Sequence, residues 1–241
     1  MMIALAIVAL LAVSFAAPLA AQVQLRRYAD TRRALDEARE AILGFAAAHA
    51  RLPCPASAAS AGLESFAVGG DAANGECSNF YDGFLPGAAL GLSPLDAEGF
   101  VRDAWQAPAN RIRYAVFGGG TAVNGVANAL TRANGMQAAT LGGLGAAPHF
   151  ILICASGAEA SASSCGAAAN HLTRKAAFVL LSLGANAPAT PAPGSDEARN
   201  LAGNPVFVHR EASGNGDFDD LIQWVPVHIV VSRLVVAGRL P

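Results

Sequence analysis

The first fifty residues carry one continuous helical pattern, which limits the possible folds more than any other feature of the sequence. Residues 1–21 contain no charged side chain. A helix of that length, rising ~1.5 Å per residue, reaches about 30 Å, the thickness of a bilayer's hydrocarbon core. Residues 22–52 continue as an amphipathic helix whose apolar stripe consists of Tyr28, Leu35, Ala38, Ile42, Phe45 and His49. The pattern predicts one long helix, kinked at most near Pro18.

Two interpretations of residues 1–21 compete. A cleaved signal peptide would explain the apolar run and the small residues Ala17, Ala20 and Ala21 before Gln22. A signal peptide, however, has a basic beginning, and the first Lys or Arg of this chain is Arg26. It also has no reason to continue into a long amphipathic helix. The sequence therefore favours a single-pass membrane anchor, with a secreted periplasmic enzyme or binding protein as the alternative.

The four cysteines form two local pairs, Cys54 with Cys77 and Cys154 with Cys165. They contain no C-x-x-C motif and are not accompanied by clustered histidines, which argues against zinc. After an export-type N-terminus, an even cysteine count indicates disulfides formed in an oxidising compartment. Two local disulfides are the prediction, and four free buried thiols are the alternative.

The remainder of the chain, residues 53–241, is predicted to be one α+β domain. Residues 56–83, 118–145 and 184–195 are rich in small and turn-forming residues and are expected to be loops, with some helix around 125–135. Short apolar or alternating segments predict strands at 111–117, 149–154, 176–183, 205–209 and 220–225. A short C-terminal helix is expected over 227–237, after Pro226 and ended by Gly238. The fold class that follows is a long N-terminal helix packed on an antiparallel sheet.

Composition and motifs exclude several functions. Net charge is −2, so the chain carries no field suited to general nucleic-acid binding. The sequence contains no G-x-S-x-G, H-E-x-x-H or Walker motif. The glycine runs at 118–120 and 142–145 lack phosphate-binding spacing and are expected to be flexible loops. We therefore predict neither enzymatic activity nor a cofactor.

An acidic turn near the C-terminus is the one candidate ligand site. Asp217, Asp219 and Asp220 lie close together after Gly216. Carboxylate oxygens are the ligands that Ca²⁺ prefers, although the spacing does not match an EF-hand. Turns of this composition also form for backbone reasons alone. A solvated turn is the favoured interpretation, and a calcium site formed by these three aspartates is the alternative.

Several segments, taken in order, resemble the type IV pilin-like proteins, a family that includes the pseudopilins of type II secretion. The opening Met1–Ala12 is similar to the apolar helix that follows the family's Phe-Thr-Leu-x-Glu segment, and the leader with that segment would precede it. The other matching segments are Arg51-Leu52-Pro53-Cys54-Pro55, Gly83-Phe84-Leu85-Pro86, Asp103-Ala104-Trp105 with Pro108, and Phe218-Asp219-Asp220-Leu221-Ile222-Gln223-Trp224.

This resemblance implies a structural role. The chain would be a minor pilin or pseudopilin, anchored in the inner membrane by one helix with its domain in the periplasm. Its partners would be other pilin-like subunits, contacted through the N-terminal helix, membrane lipid, and a prepilin peptidase that cleaves the leader. Some pseudopilins bind calcium in a C-terminal loop, which is where the acidic turn lies. A filament-tip adhesin or DNA-uptake binder is a further alternative within the same family.

Overall fold

The fold is known from a computed structural model that describes residues 2–106, 110–187, 189–212 and 217–240, and only the backbone of residues 2–20. Helix α1 is Met2–His49 and passes without interruption through the junction at residues 21–28. It ends where Ala50 adopts a left-handed conformation, with φ of 54°, shortly before Pro53. The predicted continuous helix is confirmed.

Six strands of the described chain form one sheet in the order β1-β2-β4-β3-β5, with β6 also paired to β4. The long strand β4 is its centre, and its second half is buried between β2 and β6 and packs against α1 and α5. The strands are β1 Gly83–Phe84, β2 Arg113–Val116, β3 Ile151–Cys154, β4 His171–Ser182, β5 Val206–Val208 and β6 Leu221–Pro226.

The sheet is mostly antiparallel, as the sequence predicts, and contains one parallel pairing that the sequence did not predict. Strands β3 and β5 are parallel, with Leu152 opposite Val206, whereas the other four pairings are antiparallel. Parallel neighbours require a crossover connection, and the chain between β3 and β5 provides it. The α+β fold class itself is confirmed.

Four shorter α-helices complete the described fold. Helix α5 lies where the sequence placed it, and Gly238, with φ of 67°, follows its end. The helix expected around 125–135 is wrong in position, since α2 and α3 lie farther along the chain. The bounds are α2 Gly135–Ala139, α3 Leu141–Ala146, α4 Asp196–Asn200 and α5 Val227–Val236.

The amphipathic half of α1 supplies one wall of the core. Its buried side chains are close to the predicted stripe, but the stripe turns near its end: Phe45 is half-buried, His49 is exposed, and Ala46 is buried in their place. The helix packs against β4, β6 and α5. Residues buried along it are Thr31, Leu35, Ala38, Ile42, Leu43 and Ala46.

The segment after α1 is fixed by a buried ion pair. The Arg51 guanidinium donates to both carboxylate oxygens of Glu64, at 2.6 and 2.8 Å. Glu64 also accepts the Cys54 backbone N–H at 2.8 Å, and Arg51 lies 5.0 Å from the centroid of the Phe45 ring. The Glu64 carboxylate accepts hydrogen bonds from both the Arg51 guanidinium and the Cys54 backbone N–H. The pair therefore links the residues just after α1 to the loop that contains Glu64.

Candidate functional site

Both cysteine pairs are bonded. Cys54 is joined to Cys77 and Cys154 to Cys165, the same pairs that the sequence predicts. All four cysteines are buried. Disulfides persist in oxidising compartments, so the domain belongs outside the cytoplasm.

Three carboxylates converge beside α4. Glu197, Asp219 and Asp220 each place an oxygen within 4.8 Å of the others. Ser195 is the N-cap of helix α4, and its hydroxyl accepts the Ala198 N–H at 3.1 Å. Glu197 lies in the first turn of this helix. The two aspartates immediately precede β6. Strand β6 and helix α4 therefore bring together residues that are far apart in sequence.

The structure corrects the expectation of a solvated turn. Glu197, Asp219 and Asp220 are only 6%, 7% and 5% exposed. Asp217 is exposed and does not belong to this cluster. The predicted calcium ligands are thus divided, with two aspartates inside the buried cluster and one outside it. The turn residues 213–216 lie outside the described part of the chain.

Backbone and amide groups satisfy most of the cluster. One Asp219 oxygen accepts the N–H groups of Ala185 and Asn186, at 2.7 and 3.1 Å. The Asn186 side chain donates to both Glu197 oxygens, at 2.9 and 3.1 Å, and the Asp219 N–H donates to Glu197 at 3.0 Å. Asn200 donates to Asp220 at 2.7 Å. The other Asp219 oxygen, Oδ1, has no partner among the described atoms.

Burial and the neighbouring carboxylates raise the pKa of Asp219 and of Asp220. Burial raises the pKa of Asp220 to about 7 and outweighs the Asn200 hydrogen bond, and the charges of Glu197 and Asp219 raise it further. Burial also raises the pKa of Asp219, again against its backbone hydrogen bonds. The cluster therefore takes up a proton near neutral pH. A hard cation held by Glu197, Asp219 and Asp220 would relieve the same repulsion.

A cleft of about 600 Å³ lies between α1 and the segment leading into β6. It contains cations and anions together, and Arg210 is also paired at 2.8 Å with Asp196, which lies outside the lining. Burial and the charge of Arg32 lower the pKa of His209. The described lining includes no serine, threonine or cysteine. Its charged and aromatic members are Tyr28, Arg32, Asp36, His209, Arg210, Glu211, Asp219 and Asp220.

The Asp-Ala-Trp segment attaches α1 to the domain. Asp103 is 1% exposed and accepts hydrogen bonds from the Ser182 hydroxyl, at 2.6 Å, and from the Trp105 backbone N–H, at 2.9 Å. Its burial raises its pKa in spite of these bonds. The next residue, Ala104, donates its N–H to the Thr31 hydroxyl of α1 at 3.1 Å. These contacts hold the helix at Thr31, just after the exposed residues 21–26.

No helix among the residues with described side chains is long and apolar enough to span a membrane. The predicted membrane segment, residues 1–21, lies outside those residues except for Ala21.

Comparisons with protein-family models, with curated proteins and with solved structures give no match for this chain. The site residues therefore have to be interpreted from their own geometry.

Proposed function

We propose that this protein is a structural subunit of an envelope filament, of the minor pilin or pseudopilin kind. Residues 1–21 would anchor it in the inner membrane, with the domain in the periplasm. In the assembled filament those residues would pack against the equivalent helices of other subunits. The small residues Ala4, Ala6, Ala9, Ala12, Ser14, Ala16 and Ala17 would permit close helix approach.

The uneven burial of α1 is the observation that carries this proposal. From Leu35 to Ala46 the helix is built into the core, whereas residues 21–26 are exposed. An amphipathic helix that only covers a sheet has no need of twenty further apolar residues. The same continuous helix, with an uncharged first part, is what a membrane-anchored subunit requires. The two disulfides support a location outside the cytoplasm.

The cleft beside α1 supports a second candidate function, that of a binding protein, either secreted after signal cleavage or located at a filament tip. Its mixture of guanidinium, carboxylate and aromatic groups is suited to a polar ligand. A secreted binder would lose residues 1–21 by cleavage, whereas an anchored subunit would keep them. A tip binder would keep the anchor and would be distinguished by ligand-dependent protection of Arg32 or His209.

Substituting an arginine at the middle of the apolar segment tests the anchor. Ala9→Arg should cost about 2.5–3.5 kcal/mol of membrane insertion, so the protein should leave the membrane and sheared-filament fractions. Ala29→Arg, at an exposed position twenty residues further along α1, is the matched control and should fractionate like the wild type. Unchanged membrane association of Ala9→Arg would refute the anchor.

A further inference from the structure

Four arginines surround α1 just beyond the apolar segment. Arg26, Arg27, Arg32 and Arg33 lie within eight residues, and a helix turns about 100° per residue. They are therefore distributed around most of the helix circumference and do not form a single face. We call these four residues the arginine collar. Arg26, Arg32 and Arg33 are exposed and Arg27 is half-buried.

The collar is the positive end of an otherwise acidic chain. Residues 22–35 hold four arginines and one acidic residue, a net charge of +3, while the rest holds 12 basic and 17 acidic residues, a net charge of −5. Within the described structure, the collar's ion pair joins Arg33 to Asp30 at 3.7 Å, between side chains 73% and 59% exposed. An exposed pair of this kind contributes little. Arg26, Arg27 and Arg33 thus present largely uncompensated charge, whereas Arg32 also lines the cleft that contains Asp36, Glu211, Asp219 and Asp220.

Apolar and aromatic side chains accompany the collar. Val23 is 48% exposed and Leu25 69% exposed on the same stretch of helix. The Tyr28 ring packs edge-on against Trp105, with centroids 5.1 Å apart, and the Trp105 indole N–H donates to Gln24 at 3.4 Å. Tyrosine and tryptophan are enriched where a protein crosses from hydrocarbon to headgroups. Arginine, exposed aliphatic and aromatic groups together are the chemistry of a bilayer interface.

We propose that the arginine collar binds the anionic phospholipid headgroups of the membrane leaflet from which α1 emerges. This inference rests on the proposed function, which puts residues 1–21 in that bilayer. Guanidinium groups bind phosphate oxygens in a bidentate geometry. The domain covers the face of α1 that carries Gln24, Tyr28 and Thr31. Arginines spread over the remaining arc can meet phosphates from several directions, whereas an acidic patch on another protein would engage only one side. The collar thereby fixes the depth of α1 and brings Trp105 close to the lipid.

Headgroup binding by the collar can be tested by measuring which lipids lie close to Trp105. The full-length chain, with Trp224→Phe so that one tryptophan remains, is reconstituted into phosphatidylcholine vesicles containing about one-fifth phosphatidylglycerol. Quenching of Trp105 by brominated phosphatidylglycerol is compared with quenching by brominated phosphatidylcholine. We expect the ratio of phosphatidylglycerol to phosphatidylcholine near Trp105 to exceed the bulk ratio about fivefold. The enrichment should disappear in about 0.5 M salt, where the Debye length is ~4 Å.

Matched variants distinguish the effect of the collar arginines on lipid enrichment from the effect of the chain's total positive charge. Replacing all four collar arginines with glutamine should abolish the enrichment, and replacing them with lysine should retain part of it. The control removes four arginines elsewhere and should keep the wild-type enrichment: Arg39→Gln, Arg132→Gln, Arg174→Gln and Arg233→Gln. Circular dichroism verifies that each variant, including Trp224→Phe, is folded.

Three results would overturn the proposal. One is equal quenching by the two lipids in the wild-type chain. Another is enrichment that survives the glutamine collar. A third is a glutamine collar that leaves the lipid ratio unchanged but dissociates oligomers, which would make another copy of the chain the partner. A wild-type chain that enters neither neutral nor anionic vesicles would instead refute the anchor, and with it the proposed function.

Discussion

Arg51 and Glu64 form a buried ion pair whose loss should be costly, because the Arg51 side chain is only 8% exposed and the Glu64 side chain 14% exposed. Glu64→Gln leaves a buried guanidinium without its counter-charge, and we expect it to lower the free energy of unfolding by about 3 kcal/mol. Glu40→Gln is the control, since Glu40 and Arg233 pair at 2.7 Å with about half of each side chain exposed; it should cost less than ~1 kcal/mol. Urea unfolding measures both, and equal costs would contradict the assignment.

The raised pKa of Asp220, about 7, predicts the sign of the domain's pH dependence. An unfolded aspartate releases its proton near pH ~4, so between these values the folded state binds more protons than the unfolded state. The free energy of unfolding should therefore fall as pH rises through this window, by up to ~1.4 kcal/mol per pH unit. Urea unfolding from about pH 5 to about pH 8 measures the slope.

Two variants assign this slope to the cluster. Asp220→Asn cannot ionise and should flatten the dependence, whereas Asp217→Asn, at an exposed position outside the cluster, should keep it. The lowered pKa of His209 contributes equally to the wild type and to Asp220→Asn. The same slope between pH 5 and pH 7 in these two proteins would therefore show that Asp220 is not protonated in the folded state.

At the scale of elements, Asn200 terminates the sheet edge at β5. Its side-chain oxygen accepts the Val208 N–H at 2.7 Å, and its amide donates to the Val208 carbonyl at 3.1 Å and to Asp220 at 2.7 Å. Asn200→Ala should cost about 2–3 kcal/mol, because buried backbone groups lose their partners. Asn200→Asp should cost more, since it replaces the amide donor to Asp220 with another carboxylate.

The control for this edge is Asn204→Ala, which removes a single hydrogen bond to the Val206 N–H and should cost about 1 kcal/mol. Hydrogen exchange at the Val208 amide gives a local readout and should accelerate only in the Asn200 variants. If Asn200→Ala is no more costly than Asn204→Ala, the edge does not depend on this side chain.

Elements with a strong local pattern could be predicted, and those set by distant contacts could not. Strands β2, β3 and β6 and helix α5 lie within or close to the predicted segments, since alternation, β-branched runs and Pro226 mark them locally. The parallel pairing of β3 with β5 has no local signature. Helix α4 was missed, although Ser195 followed by two acidic residues is a helix-start signal.

The candidate site could be predicted only in part for the same reason. Asp219 and Asp220 stand out as neighbours in a turn, but Glu197 is 22 residues before Asp219 in sequence. Only the packing of α4 beside β6 brings the three carboxylates together. Burial of this cluster was also not predictable, because the surrounding sequence is polar and glycine-rich, as in an exposed turn.

At the scale of the whole molecule, the account is that α1 has two environments. Its second half is part of a disulfide-bonded domain, and under the proposed function its first part would lie in a membrane or a filament core. The charge distribution follows the same division, with the arginine collar at the boundary and the acidic excess in the domain. Such a molecule has to retain its apolar segment when mature.

N-terminal sequencing and intact mass of the mature protein, isolated from the cell envelope, test this account most directly. The account predicts that residues of the 1–21 segment are present and that the protein fractionates with inner membrane or sheared filaments. A mature chain that begins at Gln22 and is found free in the periplasm would contradict it.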